Sequence, residues 1–153
     1  MKLTLIAAAA LFALPSIAQA QMVRATSPNS VVTALQEGGY KAILSKDATG
    51  DPKIESASSG ARFFINFYGC KNNFDCTTVT FYAGWSDASV SLNQINEWNK
   101  AKRFSRAYID KDGDPVIEFD VDLDDGGMSQ ALFIDNVQYW ETSLAGFKKH
   151  IGN

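Results

Sequence analysis

Chemistry in this chain would have to come from few side chains: two cysteines, Cys70 and Cys76, one histidine, His150, and carboxylates crowded between Asp110 and Asp125. The cysteines bracket the loop Cys70-Lys-Asn-Asn-Phe-Asp-Cys76, which joins two runs rich in aromatic and β-branched residues, Ala61 to Tyr68 and Thr77 to Trp85. Paired strands would bring the two Cα atoms within bridging distance, so a disulfide is expected. A zinc site is the sharper alternative, and it lacks ligands, because His150 is far in sequence from the pair. A redox-active pair remains open as well, although the spacing is not Cys-x-x-Cys and nothing nearby obviously lowers a thiol pKa.

Among the carboxylates, Asp110-x-Asp112-x-Asp114 reproduces the first three ligand positions of a calcium loop. The loop would then need glycine at its sixth position and glutamate at its twelfth, where this chain has Pro115 and Val121. A hairpin turn fits better, with Gly113 supplying a positive φ and Pro115 fixing the start of the next strand. Beyond it, Ile117, Phe119, Val121 and Leu123 alternate with Glu118, Asp120 and Asp122. Period two predicts one buried face and one acidic, solvated face, where carboxylate pKa values are seldom shifted toward acid–base work. With no Gly-x-Ser-x-Gly elbow, no Cys–His pairing and no phosphate-binding glycine loop, neither an enzyme nor a cofactor or metal site is expected.

The elements that must position these residues follow from periodicity. Leu92, Ile95 and Trp98 mark a short helix before the acidic hairpin, and the basic run Lys100-Ala-Lys102-Arg103 suits that helix's C-terminal dipole. Upstream, Ser27-Pro28 predicts a helix start and Gly38-Gly39 its end, with Val31, Val32 and Leu35 facing inward. Tyr40 to Lys46 reads as a strand, Thr49-Gly50-Asp51-Pro52 as a turn, and Lys53, Ile54 and Glu55 as the return. Gly50-Asp51-Pro52-Lys53-Ile54-Glu55 and Gly113-Asp114-Pro115-Val116-Ile117-Glu118 agree at five of six positions. Either the chain holds two similar helix-strand-turn-strand halves or one turn chemistry was used twice. Ser129 caps a last helix reaching about His150, and Phe133, Val137, Trp140, Leu144, Phe147 and Ile151 form one apolar stripe along it. The order helix, four strands, helix, two strands, helix predicts an α+β domain whose antiparallel sheet is covered mainly on one side.

The chain opens with Lys2, an apolar run from Leu3 to Leu14 and a small-residue ending Ala18-Gln19-Ala20, the three parts of a secretory signal. Cleavage between Ala20 and Gln21 is expected, with residues 1–20 the signal and 21–153 a single domain. The run is shorter than the roughly 20 residues of a bilayer span, and no later segment qualifies, so the expected location is periplasmic or secreted. An N-terminal anchor or buried helix is the alternative. Lys2 leaves with the signal and no acid does, moving the formal charge from −3 to −4. A mildly acidic domain without basic clusters argues against nucleic acid or an anionic membrane as partner.

The run Asn96-Glu-Trp-Asn-Lys100, then Arg103-Phe104, Ala107-Tyr108 and Asp112-Gly-Asp-Pro115 with its alternating strand, resembles the YbjN family of bacterial sensory transduction regulators. The likeness covers about Val31 to Phe147. It implies a fold similar to type III secretion chaperones and a small binding or chaperone-like module without enzymatic activity. The signal segment and cysteine pair depart from a direct role in cytoplasmic signalling.

Three function classes follow: a periplasmic module engaging a protein partner or a second copy of itself as a homodimer; a small envelope protein that inhibits or modulates an enzyme through its acidic strand or disulfide loop; and a small hydrolase, which has the least support. Ten Phe, five Tyr and three Trp exceed what a small core easily hides. The aromatic residues off the periodic stripes, Phe64, Tyr68, Tyr82 and Tyr139, are the candidate partner surface.

Overall fold

The structure, a computed structural model, describes residues 21–153; the signal segment predicted to end at Ala20 lies outside the described residues, and Gln21 is the first of them. The chain runs β1 (Met22–Val23), α1 (Pro28–Glu37), β2 (Ile43–Lys46), β3 (Pro52–Ser58), β4 (Ala61–Tyr68), β5 (Thr78–Gly84), α2 (Leu92–Ala101), β6 (Arg106–Ile109), β7 (Pro115–Asp122), β8 (Met128–Ser129) and α3 (Gln130–His150). This is the expected α+β order with two short strands added. β1 and β8 pair with each other, and the other six form one antiparallel sheet in the order β2-β3-β4-β5-β7-β6.

One sheet face is apolar and carries the helices. Phe63, Ile65 and Phe67 of β4, Val79, Phe81 and Ala83 of β5, and Ile117, Phe119 and Val121 of β7 are buried there. The α3 stripe closes over them: Trp140 lies 5.6 Å from both Phe63 and Phe81, and Phe133 lies 6.2 Å from Phe81, centroid to centroid. Side chains of this size dominate the burial term, so truncating Trp140 to alanine would cost about 3–5 kcal/mol. Trp98 of α2 meets Phe147 of α3 edge-on at 5.1 Å.

Local chemistry explains the helix ends. Ser91 and Gln94 form a reciprocal capping box on α2, and the Ser129 hydroxyl accepts the Leu132 N–H at the start of α3. At α1, Ser27 holds the cap position without a side-chain bond. Ser30 takes over there, its hydroxyl accepting the Arg24 N–H at 2.9 Å and donating to the Ser27 carbonyl at 2.7 Å. The α1 C-terminus closes with Tyr40 N–H on the Leu35 carbonyl and Gly39 N–H on that of Gln36, with Gly39 at φ +86°. Leu92, read as part of the α2 face, is instead 76% exposed, so that face rests on Ile95 and Trp98.

The duplicated turn is duplicated in geometry. Asp47 Oδ1 accepts the N–H of Thr49 at 2.8 Å and of Asp51 at 2.9 Å; Asp110 Oδ1 accepts those of Asp112 at 3.0 Å and Asp114 at 2.9 Å. Gly50 and Gly113 sit at φ +95° and +90°, a region closed to most other residues. Each turn builds the outer hairpin at one end of the sheet, β2–β3 and β6–β7.

Candidate functional site

The face of the sheet opposite the helices gathers most of the predicted surface residues. Antiparallel register sets the rows: Glu55, Phe64, Tyr82, Glu118 and Arg106 lie side by side across five strands, and Asn66, Thr80 and Asp120 form the next row. Phe64 and Tyr82 are half-buried cross-strand neighbours, and Tyr68 is 50% exposed one row beyond Asn66. Lys53 Nζ stands 3.9 Å from the Phe64 ring centroid and the Arg62 guanidinium 5.4 Å, so the ring carries a cationic rim.

Tyr139 is not part of this face. It lies on α3, in the helical layer, and packs against Phe104 with ring centroids 4.7 Å apart. The four aromatic positions singled out in the sequence therefore divide into a group of three on the sheet and one on the far side. Periodicity placed Tyr139 off the buried stripe, but which neighbour a helix's outer side meets depends on the chain that crosses it.

Glu118 departs from the solvated acidic face. It is 7% exposed, whereas Asp120 and Asp122 are exposed. The Arg106 guanidinium donates to Glu118 Oε2, through Nε at 2.9 Å, and the Tyr108 hydroxyl donates to Oε1 at 2.9 Å. Arg106 also approaches Asp120 Oδ2 at 3.6 Å, and the Thr80 hydroxyl donates to Asp120 Oδ1. Burial, followed by the bond to Glu118, pushes the Tyr108 phenol well above its usual value. Burial and nearby carboxylates likewise raise Tyr68 and Tyr82. These phenols stay protonated at neutral pH and act as hydrogen-bonding aromatic surface. Beside Tyr68 lies a shallow hollow of about 360 Å³, lined also by Thr78, Thr80, Arg106, Glu118 and Asp120.

The remaining chemistry-bearing residues are spent on the fold. Cys70 and Cys76 are joined by a disulfide, inside which Lys71 and Phe74 exchange main-chain bonds around Asn72 and Asn73, both at positive φ. Two central residues of that kind make a tight primed turn, and Asn-Asn was the legible signal for it. Asn73 Nδ2 then donates to the Thr49 carbonyl and to Asp51 Oδ1, docking the loop on the first duplicated turn. His150 Nε2 bonds the Gln94 carbonyl at 2.8 Å, tying the end of α3 to α2. Among the described residues no cluster of three or more His, Cys, Asp or Glu is arranged to hold a metal ion, and no helix is long and apolar enough to cross a membrane.

A family model described as "YbjN: Putative bacterial sensory transduction regulator" matches residues 27–153. No curated protein and no solved structure matches the chain.

Proposed function

The chain belongs to the YbjN family of regulator-type modules, and from that premise we propose that it is a non-catalytic regulatory module of the cell envelope that binds a protein partner through the helix-free face of its sheet. One observation carries the reading: Phe64, Tyr68 and Tyr82 remain part-exposed together on a face that no helix covers, rimmed by Lys53, Arg62, Arg106 and Asp120. Aromatic residues at the centre and charges at the margin are the composition of a protein interface. The envelope location rests on the Lys2 to Ala20 signal pattern and is supported by the Cys70–Cys76 bridge, a bond that persists in oxidising compartments.

The test replaces Phe64 and Tyr82 together by serine in disulfide-intact protein used to capture partners from periplasmic extract. Circular dichroism of the variant should stay near native while it loses the partner that the wild-type bait captures. Unchanged capture by the folded variant would sink the proposed face. Mass spectrometry of the exported chain should begin at Gln21, and an intact Met1 form confined to the cytoplasm would remove the compartment from the proposal.

A further inference from the structure

The two ends of the sheet are unequal. At one end β6 is covered: the Asn99 side chain bonds both main-chain groups of Ala107. At the other end β2 has all four residues, Ile43 to Lys46, exposed. The direction of its main chain follows from register. Asp47 N–H bonds the Asp51 carbonyl, and Ser45 lies opposite Lys53 and Ile43 opposite Glu55, so these alternate residues turn toward β3. Leu44 and Lys46 therefore point their N–H and C=O groups outward, roughly 7 Å apart, the repeat of an extended chain. Among the described residues no side chain bonds to them, although Gln36 already reaches the neighbouring Ala42 carbonyl at 3.4 Å.

Beside that edge is a groove of about 370 Å³, mainly apolar, walled by Ala25, Pro28, Leu44, Pro52, Phe74 and Cys76. Its outer wall is the disulfide loop, held in place by the Asn73 bonds to Thr49 and Asp51, and its Phe74 ring is 73% exposed. Leu44 and Lys46 both line the groove, and Lys46 makes no ion pair among the described residues.

We propose that the β2 edge takes an extended polypeptide segment as an added strand, with an apolar side chain opposite Leu44 entering the groove and an acidic side chain two positions away meeting Lys46. The free donor–acceptor pairs at strand spacing are satisfied by another extended chain and by no compact ligand. A residue opposite Leu44 points to the same face as Leu44, which is the groove side. This surface is separate from the aromatic sheet face, so the two sites stand or fall independently.

The experiment pans a phage library of short random peptides on the disulfide-intact protein and measures binding of the enriched peptides by fluorescence anisotropy. Enriched sequences should carry an apolar and an acidic residue two apart. Lys46→Pro removes an outward N–H at an edge position where proline is tolerated, and with Leu44→Glu it should weaken binding about tenfold or more while circular dichroism stays native. Methylating the facing peptide nitrogen should do the same. Absence of enrichment, or peptides indifferent to Lys46→Pro, Leu44→Glu and N-methylation, would overturn the proposal. Peptides lost only on Phe64→Ser and Tyr82→Ser would place binding on the sheet face and overturn it too. A dimer in sedimentation that Lys46→Pro dissociates would give the edge to a second copy and likewise refute it.

Discussion

Asn99 of α2 bridges both main-chain groups of Ala107 in β6: its Nδ2 donates to the Ala107 carbonyl at 3.0 Å and its Oδ1 accepts the Ala107 N–H at 2.9 Å. A side-chain amide here imitates a neighbouring strand and closes an edge that would otherwise be open to association. Ala107 is only 6% exposed, so its peptide groups have little water to fall back on. Asn99→Ala should cost about 1–3 kcal/mol in urea unfolding, with Asn99→Asp, which keeps the acceptor and loses the donor, in between. A loss near zero would mean water replaces the amide without penalty.

Acid stability should depend on Glu141. Its carboxylate accepts the Ser58 hydroxyl and, at 3.0 Å, the Tyr40 hydroxyl, which ties α3 to the end of β3 and to the segment after α1. The Ser58 bond, helped by Tyr40 and Ser59 against the opposing cost of burial, holds the carboxyl below its ordinary value of 4.5. A carboxyl with a depressed folded-state pKa contributes stability that is full above the unfolded value and lost as the pH falls through the folded one. Urea midpoints measured from neutral pH down to about 3 should fall less steeply for Glu141→Gln than for wild type. Parallel curves would remove Glu141 from the acid response.

At the alkaline end the sign reverses. Tyr108 is raised by burial and by Glu118, so the folded state holds its proton more tightly than the unfolded chain. Its contribution is complete below the ordinary phenol value of 10.0 and declines as the pH climbs beyond it. Tyr108→Phe should flatten the loss of stability above about pH 10, and phenolate absorbance should show one fewer late-titrating tyrosine. An unaltered alkaline slope would contradict the Tyr108–Glu118 bond.

The acidic turn should behave as structure. Asp110 Oδ1 is already engaged by two backbone N–H groups, so Asp110→Ala should destabilise by about 1 kcal/mol or somewhat more. Calorimetry with calcium should show nothing tighter than millimolar, the weak end for extracellular calcium modules. A micromolar site abolished by Asp112→Asn would reverse this.

For the disulfide, the loop-entropy relation gives a small ring about 2 kcal/mol. Cys70→Ser should lower stability by about that amount and leave the sheet intact. Free-thiol titration of the unfolded, unreduced protein should find none in wild type, and two reactive thiols per chain would deny the bridge.

Periodicity and turn chemistry alone determined the three helices and the six strands of the main sheet, but not the short pair β1 and β8. The alternation from Ile117 to Leu123 marked a strand with one apolar face, the four-and-three spacing from Phe133 to Ile151 marked a long helix with one buried stripe, and the Gly-Asp-Pro runs marked both hairpins. These signals are local, because a side chain's direction relative to its neighbours in sequence is fixed by the backbone repeat. What sits across from a strand is not local. Glu118 has the same outward parity as Asp120, yet it is buried because register sets Arg106 on one side of it and Tyr82 on the other, with Tyr108 reaching over. Tyr139 separates from Phe64, Tyr68 and Tyr82 because α3 crosses the opposite face of the sheet. The unequal edges, β6 sealed by Asn99 and β2 left open beside the disulfide loop, arise because strand order follows long-range pairing, which brings residues distant in sequence to one place and leaves no trace in the period of either.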